Sequence, residues 1–242
     1  MTVSRQGGEV KSFLSIGNVL EDLEASFSPE RMGTYLRAVQ GDREKALHLY
    51  TWNTAISAAF YGPLQGLEVA LRNAMHRQLA GRYGAAWYNN PAAGLDSGCL
   101  VRIADAKTDV ARTGHTEEPP RVVAALSFGF WISLLGSGGR INSVGRKANY
   151  EMTLWRPALR GAFPNCTSLT RKQAHKPLDC LRKLRNRIAH HEPIFARDLA
   201  NDHQHVLDVT GWISPGVRMW IEHHSRVPTL LDTLNYGTDV HF

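Results

Sequence analysis

Apolar residues recur along most of this chain at the three- and four-residue spacing of a helix, and no stretch sustains the period-two alternation of a strand. From Ala46 to Phe60, the residues Leu47, Leu49, Tyr50, Ile56, Ala59 and Phe60 predict a helix with a broad buried face. Gly62-Pro63 predicts a break or kink, because proline lacks the amide proton that a helix interior requires. Leu64, Leu67, Leu71, Ala74, Met75 and Leu79 then predict a second, cleaner amphipathic helix that Gly81 to Gly84 should end. Upstream, Ser28-Pro29-Glu30 and Asp42 carry N-cap signals, and Asp96 or Ser97 should start a further helix.

The segment from Val122 to Leu135 is apolar almost throughout. At about 14 residues it is too short to span a membrane, and it predicts a central buried helix. Gly136-Ser137-Gly138-Gly139 predicts a flexible turn, since it lacks the spacing of a phosphate-binding P-loop. Trp155, Leu159 and Phe163 predict a short helix stopped by Pro164, and Ser168 to Glu192 a long one. Shorter helices are expected over 197–212, 214–224 and 226–235. The fold class is all-α, one domain over 1–242 with an N-terminal extension over 1–27 and a C-terminal helical appendage over 197–242.

A hydrophobic content of 43% is ample for a buried core. No apolar run approaches the roughly 20 residues of a membrane span, and Met1-Thr2-Val3-Ser4-Arg5 lacks the apolar stretch of a secretory signal, so a cytoplasmic protein with no membrane partner is expected. Cys99, Cys166 and Cys180 are odd in number and widely spaced, which supports neither a disulfide framework nor a CxxC clip. The net charge of +6 is unevenly spread: residues 140–187 carry +10 and the remainder −4. Arginine outnumbers lysine, and its planar fork suits phosphate, so a polyanionic partner is expected on this segment.

Chemistry concentrates in Leu184-Arg185-Asn186-Arg187-Ile188-Ala189-His190-His191-Glu192-Pro193. On an ideal helix Leu178, Leu181, Leu184 and Ile188 share the core sector, while Arg182, Asn186 and His190 form a polar ridge beside it. Arg185 lies about 140° from His190, so the two side chains do not meet on a straight helix. Either the helix changes course near Pro193, or the two act with partner groups across an interface. A second ridge, Glu68, Arg72 and His76, repeats the spacing and also carries an Arg-Asn pair before a histidine. Glu68 and Arg72 are expected to brace the 185–191 site, or His76 to join a nucleic-acid surface. The pairs His203-Gln204-His205 and His223-His224 lack the spacing of a zinc motif and read as surface or capping histidines, with no metal and no cofactor expected. A GxSxG nucleophile turn is also absent.

Arg185-Asn186-Arg187-Ile188-Ala189-His190 fits the R-x4-H pattern of the HEPN superfamily of helical ribonucleases. The chain more closely resembles the Abi-like (AbiD/AbiF-type) abortive infection family. The resemblance rests on Arg31 to Leu36, Ala46 to Asn53, Leu67 to Asn73, Phe128-Gly129-Phe130-Trp131 and the run from Arg185 to Phe195. It implies a HEPN-like helical bundle with additional helices and a metal-independent endoribonuclease, dimeric with its motifs facing one another, acting in phage defence by growth arrest. In that role Arg185, Asn186, His190 and His191 are the expected catalytic residues, with Glu192 supporting. Arg182, Lys183, Arg187, Arg171 and Lys172 are the expected RNA contacts. The expected partners are RNA, a second copy of the chain and a neutralising protein or RNA. The alternatives are a non-catalytic protein holding a structured RNA, and a dimerising interaction module.

Overall fold

A computed structural model of the chain describes residues 17–141, 145–234 and 240–241. Among these residues the fold is all-α, as the periodicity predicts. In chain order the helices are α1 (Gly17–Phe27), α2 (Pro29–Ala38), α3 (Arg43–Tyr83), α4 (Ser97–Arg112), α5 (Pro119–Ala125), α6 (Phe128–Ser133), α7 (Arg171–Ala189), α8 (Leu199–Ile213), α9 (Pro215–His224) and α10 (Val227–Leu231). The connections after α3 and after α6 contain short 3-10 or π turns, and one isolated antiparallel bridge joins Arg140 and Lys147. Residues 1–16 of the expected N-terminal extension, and Asn235 at the end of the last expected helix, lie outside the described residues.

The centre of the fold is α3. Asp42 caps it by accepting the Lys45 amide at 3.0 Å, and the helix then runs for 41 residues straight through Pro63. The two helices expected on either side of Gly62-Pro63 are therefore one. A proline in a helix interior costs about 3 kcal/mol. Each large apolar side chain that is fully buried returns about 2 kcal/mol. Ile56, Phe60, Leu64, Leu67, Leu71 and Met75 are all buried and follow one another at intervals of three and four, so the apolar stripe keeps its phase across the proline. Packing on both sides outweighs the one lost hydrogen bond.

The expected helix over 122–135 is likewise corrected, in the opposite sense. Leu126 is extended, and the Ser127 hydroxyl accepts the Phe130 amide at 3.3 Å, which caps a new helix in the middle of the apolar run. The resulting bend between α5 and α6 points Phe130 and Trp131 at Trp87, with ring centroids 6.3 and 5.8 Å away. The C-terminal helices are not an appendage. Val206 and Val209 of α8 and Val227 of α10 are buried in the same core as α3, and the Trp52 indole donates to the Leu230 carbonyl at 3.0 Å. No helix among the described residues is long and apolar enough to cross a membrane. All three cysteines are free thiols.

Asp96 holds α4 to the glycine-rich turn. Its carboxylate accepts the Cys99 amide at 2.8 Å, as the N-cap, and the Gly139 amide at 2.7 Å, while its own amide donates to the Tyr150 hydroxyl at 3.0 Å. Burial opposes ionisation of Asp96, but the amide hydrogen bonds outweigh it and hold the carboxyl below its ordinary range. A carboxylate whose pKa is depressed by folding contributes stability that is present above its unfolded pKa and is lost as pH falls through the folded value. Asp96→Ala should cost about 2 kcal/mol at neutral pH in urea denaturation, since the helix cap and the Gly139 amide lose their acceptor. On acidification below about pH 4 the wild type should lose more stability than Asp96→Asn, because only the wild type has this carboxylate to protonate.

Candidate functional site

The site is built on the C-terminal end of α7. Thr170 and Gln173 form a reciprocal capping box at its start, and Leu178, Leu181 and Leu184 are fully buried, which fixes the rotation of the helix against the core. Ile188 is half-buried against the same cluster. The helix ends at Ala189 with His190 as C-cap. His191 then adopts the left-handed conformation, with φ of 55°. Its amide donates to Ile188 at 3.0 Å and the Glu192 amide donates to Arg187 at 2.8 Å, which together make a Schellman closure. That motif usually carries an apolar contact between its two ends. Here Arg187 and Glu192 make the contact as ions, with 3.6 Å between Nε and Oε2, and Arg187 also donates to the Pro193 carbonyl at 3.1 Å.

Two residues outside α7 clamp this turn, and reading the chemistry of the sequence missed both. Asn53, buried in α3, accepts the amides of Ile194 and Phe195 at 2.8 and 3.1 Å through a single side-chain oxygen. Arg31 of α2 donates to the His191 carbonyl at 2.7 Å. The signal was present: Arg31 opens, and Asn53 closes, two of the sequence blocks that carry the family resemblance.

The course of the helix changes only after His190. Its amide still donates to the Asn186 carbonyl at 2.9 Å, so His190 leaves α7 in helical register and stays about 140° from Arg185. Asn186 and His190, four residues apart, share one flank, and Arg185 occupies another. His190 is exposed, and Arg185 and Asn186 are half-exposed. Among the described residues none of these three side chains makes a hydrogen bond or ion pair. Within one chain the expected catalytic pair, Arg185 and His190, is separated, with each member open to a partner.

Several expected RNA contacts have structural work instead. Arg171 is mostly buried, pairs with Glu151 at 3.1 Å and donates to the carbonyls of Leu135 and Gly136, so it ties the start of α7 to the glycine-rich turn rather than facing a ligand. Arg182 donates through Nε and Nη2 to one Asp179 oxygen, Oδ1, at 2.9 and 2.8 Å, and its stem lies beside Gly129 of α6. Lys183 also reaches Asp179, at 2.9 Å, but its side chain is 60% exposed, and an exposed pair of this kind is worth too little to withhold it from a phosphate. Lys172 is exposed. Arg187 and Glu192 belong to the helix closure described above.

The second ridge does not brace the turn. Among the described residues, the side-chain hydrogen bonds that reach residues 191–195 from other helices come from Arg31 and Asn53, and Asn53 precedes Glu68 by about 22 Å along α3. Among the described residues Arg72 hydrogen-bonds only to its neighbour Asn73, at 3.5 Å. His76 accepts the buried Trp87 indole proton at Nδ1, 3.1 Å away. Burial, reinforced by Arg77, lowers its pKa and keeps the ring neutral, as that acceptor role requires. His76 is therefore an internal partner and not part of a nucleic-acid surface. The adjacent stripe of α3, including Val69, Asn73 and Arg77, lines a groove of about 560 Å³ against Val217 and Trp220 of α9.

Comparison with protein-family models, with curated proteins and with solved structures finds no match in any of the three.

The clamp and the open residues separate stability from chemistry. Asn53→Ala leaves one buried and one partly buried amide without their acceptor and should cost about 2–4 kcal/mol in chemical denaturation. Arg185→Ala should change stability by less than about 0.5 kcal/mol in the same assay.

Proposed function

We propose that this protein is a metal-independent endoribonuclease of the HEPN type that acts in phage defence by growth arrest. The observation that carries this reading is the end of α7, where Arg185, Asn186 and His190 are accessible and uncommitted on a turn clamped from two other helices. An arginine, an amide and a histidine on a rigid, exposed helix end are suited to a phosphodiester. Histidine titrates near neutrality, so His190 takes the proton of the 2′-hydroxyl as that oxygen attacks the adjacent phosphorus. Arg185 stabilises the charge that develops on the non-bridging oxygens. Asn186, on the His190 flank, orients the imidazole or the phosphate. The bond to the 5′-oxygen breaks, and that oxygen is protonated by an imidazolium, from His190 or His191. The products are a 2′,3′-cyclic phosphate and a 5′-hydroxyl.

Because Arg185 and His190 diverge on one helix, the working site combines Arg185 of one copy with His190 of a second. RNA approaches over the basic segment, with Lys172 and Lys183 among its accessible cations. Growth arrest follows when a neutralising protein or RNA releases the enzyme.

Purified wild type incubated with total RNA in EDTA should generate 2′,3′-cyclic phosphate ends, and Arg185→Ala and His190→Ala should each cleave at least about 100-fold more slowly. Identical RNA profiles for all three proteins would overturn the nuclease reading, and salt-sensitive RNA binding without cleavage would assign the surface to RNA holding. His191→Gly separates the two roles of that residue. Glycine suits the left-handed position, so the fold should be retained to within about 1 kcal/mol, and a loss of cleavage assigns His191 to proton transfer whereas full activity assigns it to the helix closure alone.

A further inference from the structure

Cys180 on α7 and Asp202 and His205 on α8 converge away from the α7 end. One ligand atom from each, a thiol sulfur, a carboxylate oxygen and a ring nitrogen, lies within 4.8 Å of the other two. We propose that these three residues bind a zinc-like divalent transition-metal ion. Asp202 and His205 are three residues apart on a helix, so both project toward the same side of α8, where α7 presents Cys180.

The dimensions suit such an ion. With zinc bond lengths of about 2.0–2.3 Å, ligand atoms around a tetrahedral ion stand roughly 3.3–3.7 Å apart. The Cys180 sulfur and Asp202 Oδ1 already stand at 3.3 Å. The His205 nitrogen lies within 4.8 Å of both and closes toward them on binding.

Asp202 is almost fully buried and is held by Arg197, with Nε on Oδ2 at 2.8 Å and Nη2 on Oδ1 at 2.9 Å. That ion pair accounts for the burial of Asp202. Arg197 Nη2 also donates to the Cys180 sulfur at 3.4 Å, so the arginine engages the thiol as well, but it does not account for the imidazole that arrives beside them. His205 Nδ1 is shielded from solvent and has no hydrogen-bond partner among the described residues, a cost that buried polar atoms rarely carry. With a metal bound, Arg197 Nη2 releases Oδ1 and the Cys180 sulfur to the ion while Nε keeps Oδ2, the arrangement by which an outer partner orients a ligating carboxylate. The thiol proton is released to solvent on binding. A sulfur, nitrogen and oxygen donor set favours zinc or cobalt over magnesium or calcium, and three protein ligands leave one position for water. The ion would fasten the first turns of α8 to the middle of α7, closing the loop of residues 190–198 that carries His190.

Cobalt(II) titration of the chelator-stripped, full-length protein tests the proposal without RNA, so its outcome is independent of nuclease activity. Wild type and Cys166→Ser should bind one equivalent with thiolate-to-cobalt charge-transfer absorption that zinc then abolishes. Cys180→Ser should lack that absorption, and His205→Ala should bind on the order of a hundredfold more weakly. Circular dichroism checks that each variant is folded, and zinc should raise the thermal midpoint of wild type but not of His205→Ala. Absence of the charge-transfer band in wild type, or its persistence in Cys180→Ser, overturns the site.

Discussion

Burial of one continuous apolar stripe along α3 is the constraint on which the other elements depend. The stripe runs from Ala46 to Leu79, and helices α2, α6, α7, α8, α9 and α10 all pack against it. A 41-residue helix crossing a proline is stable here because its neighbours cover both halves without a change of phase. The same helix supplies Asn53, whose single oxygen receives two backbone amides from the segment after α7. The core and the candidate site are thus joined by one buried side chain.

That connection defines what the end of α7 can do. The Schellman closure, the Arg187–Glu192 pair and the Arg31 and Asn53 bonds hold the turn firmly while leaving Arg185, Asn186 and His190 with no internal bonds among the described residues. A helix end whose closing carbonyls at Asn186, Arg187 and Ile188 are satisfied and whose polar side chains are free is pre-organised: ligand binding need not first break internal contacts. The register of His190 also sets a limit, because a side chain still on the α7 helix cannot swing beside Arg185. A second chain is the simplest source of the missing half, which is why the proposed site is composite.

Much of this was legible in the sequence because it depends on local periodicity. The core face of α7, the caps at Ser28, Asp42 and Asp96, and the three C-terminal helices all follow from spacing and capping chemistry. Failures occurred where tertiary packing overrides a local rule. Pro63 breaks an isolated helix, yet a stripe in phase on both sides carries α3 through it. Ser127 is one polar residue in an apolar run, and its capping role emerges only when the chain bends toward Trp87. Arg171 and His76 look like ligand-facing groups until the carbonyls and the indole that engage them come into place. His203 and His205, expected at the surface, are buried and half-buried because α8 packs between α3 and α7 rather than lying outside the domain.

The proposed composite site requires Arg185 and His190 to work together across two chains. Arg185→Ala and His190→Ala proteins, each inactive alone, can be mixed under conditions that exchange subunits, and RNA cleavage measured. In a two-fold symmetric dimer, half of the mixed population carries one intact composite site, so about a quarter of wild-type activity should return. A mixture as inactive as either variant alone, despite proven subunit exchange, would contradict the composite site.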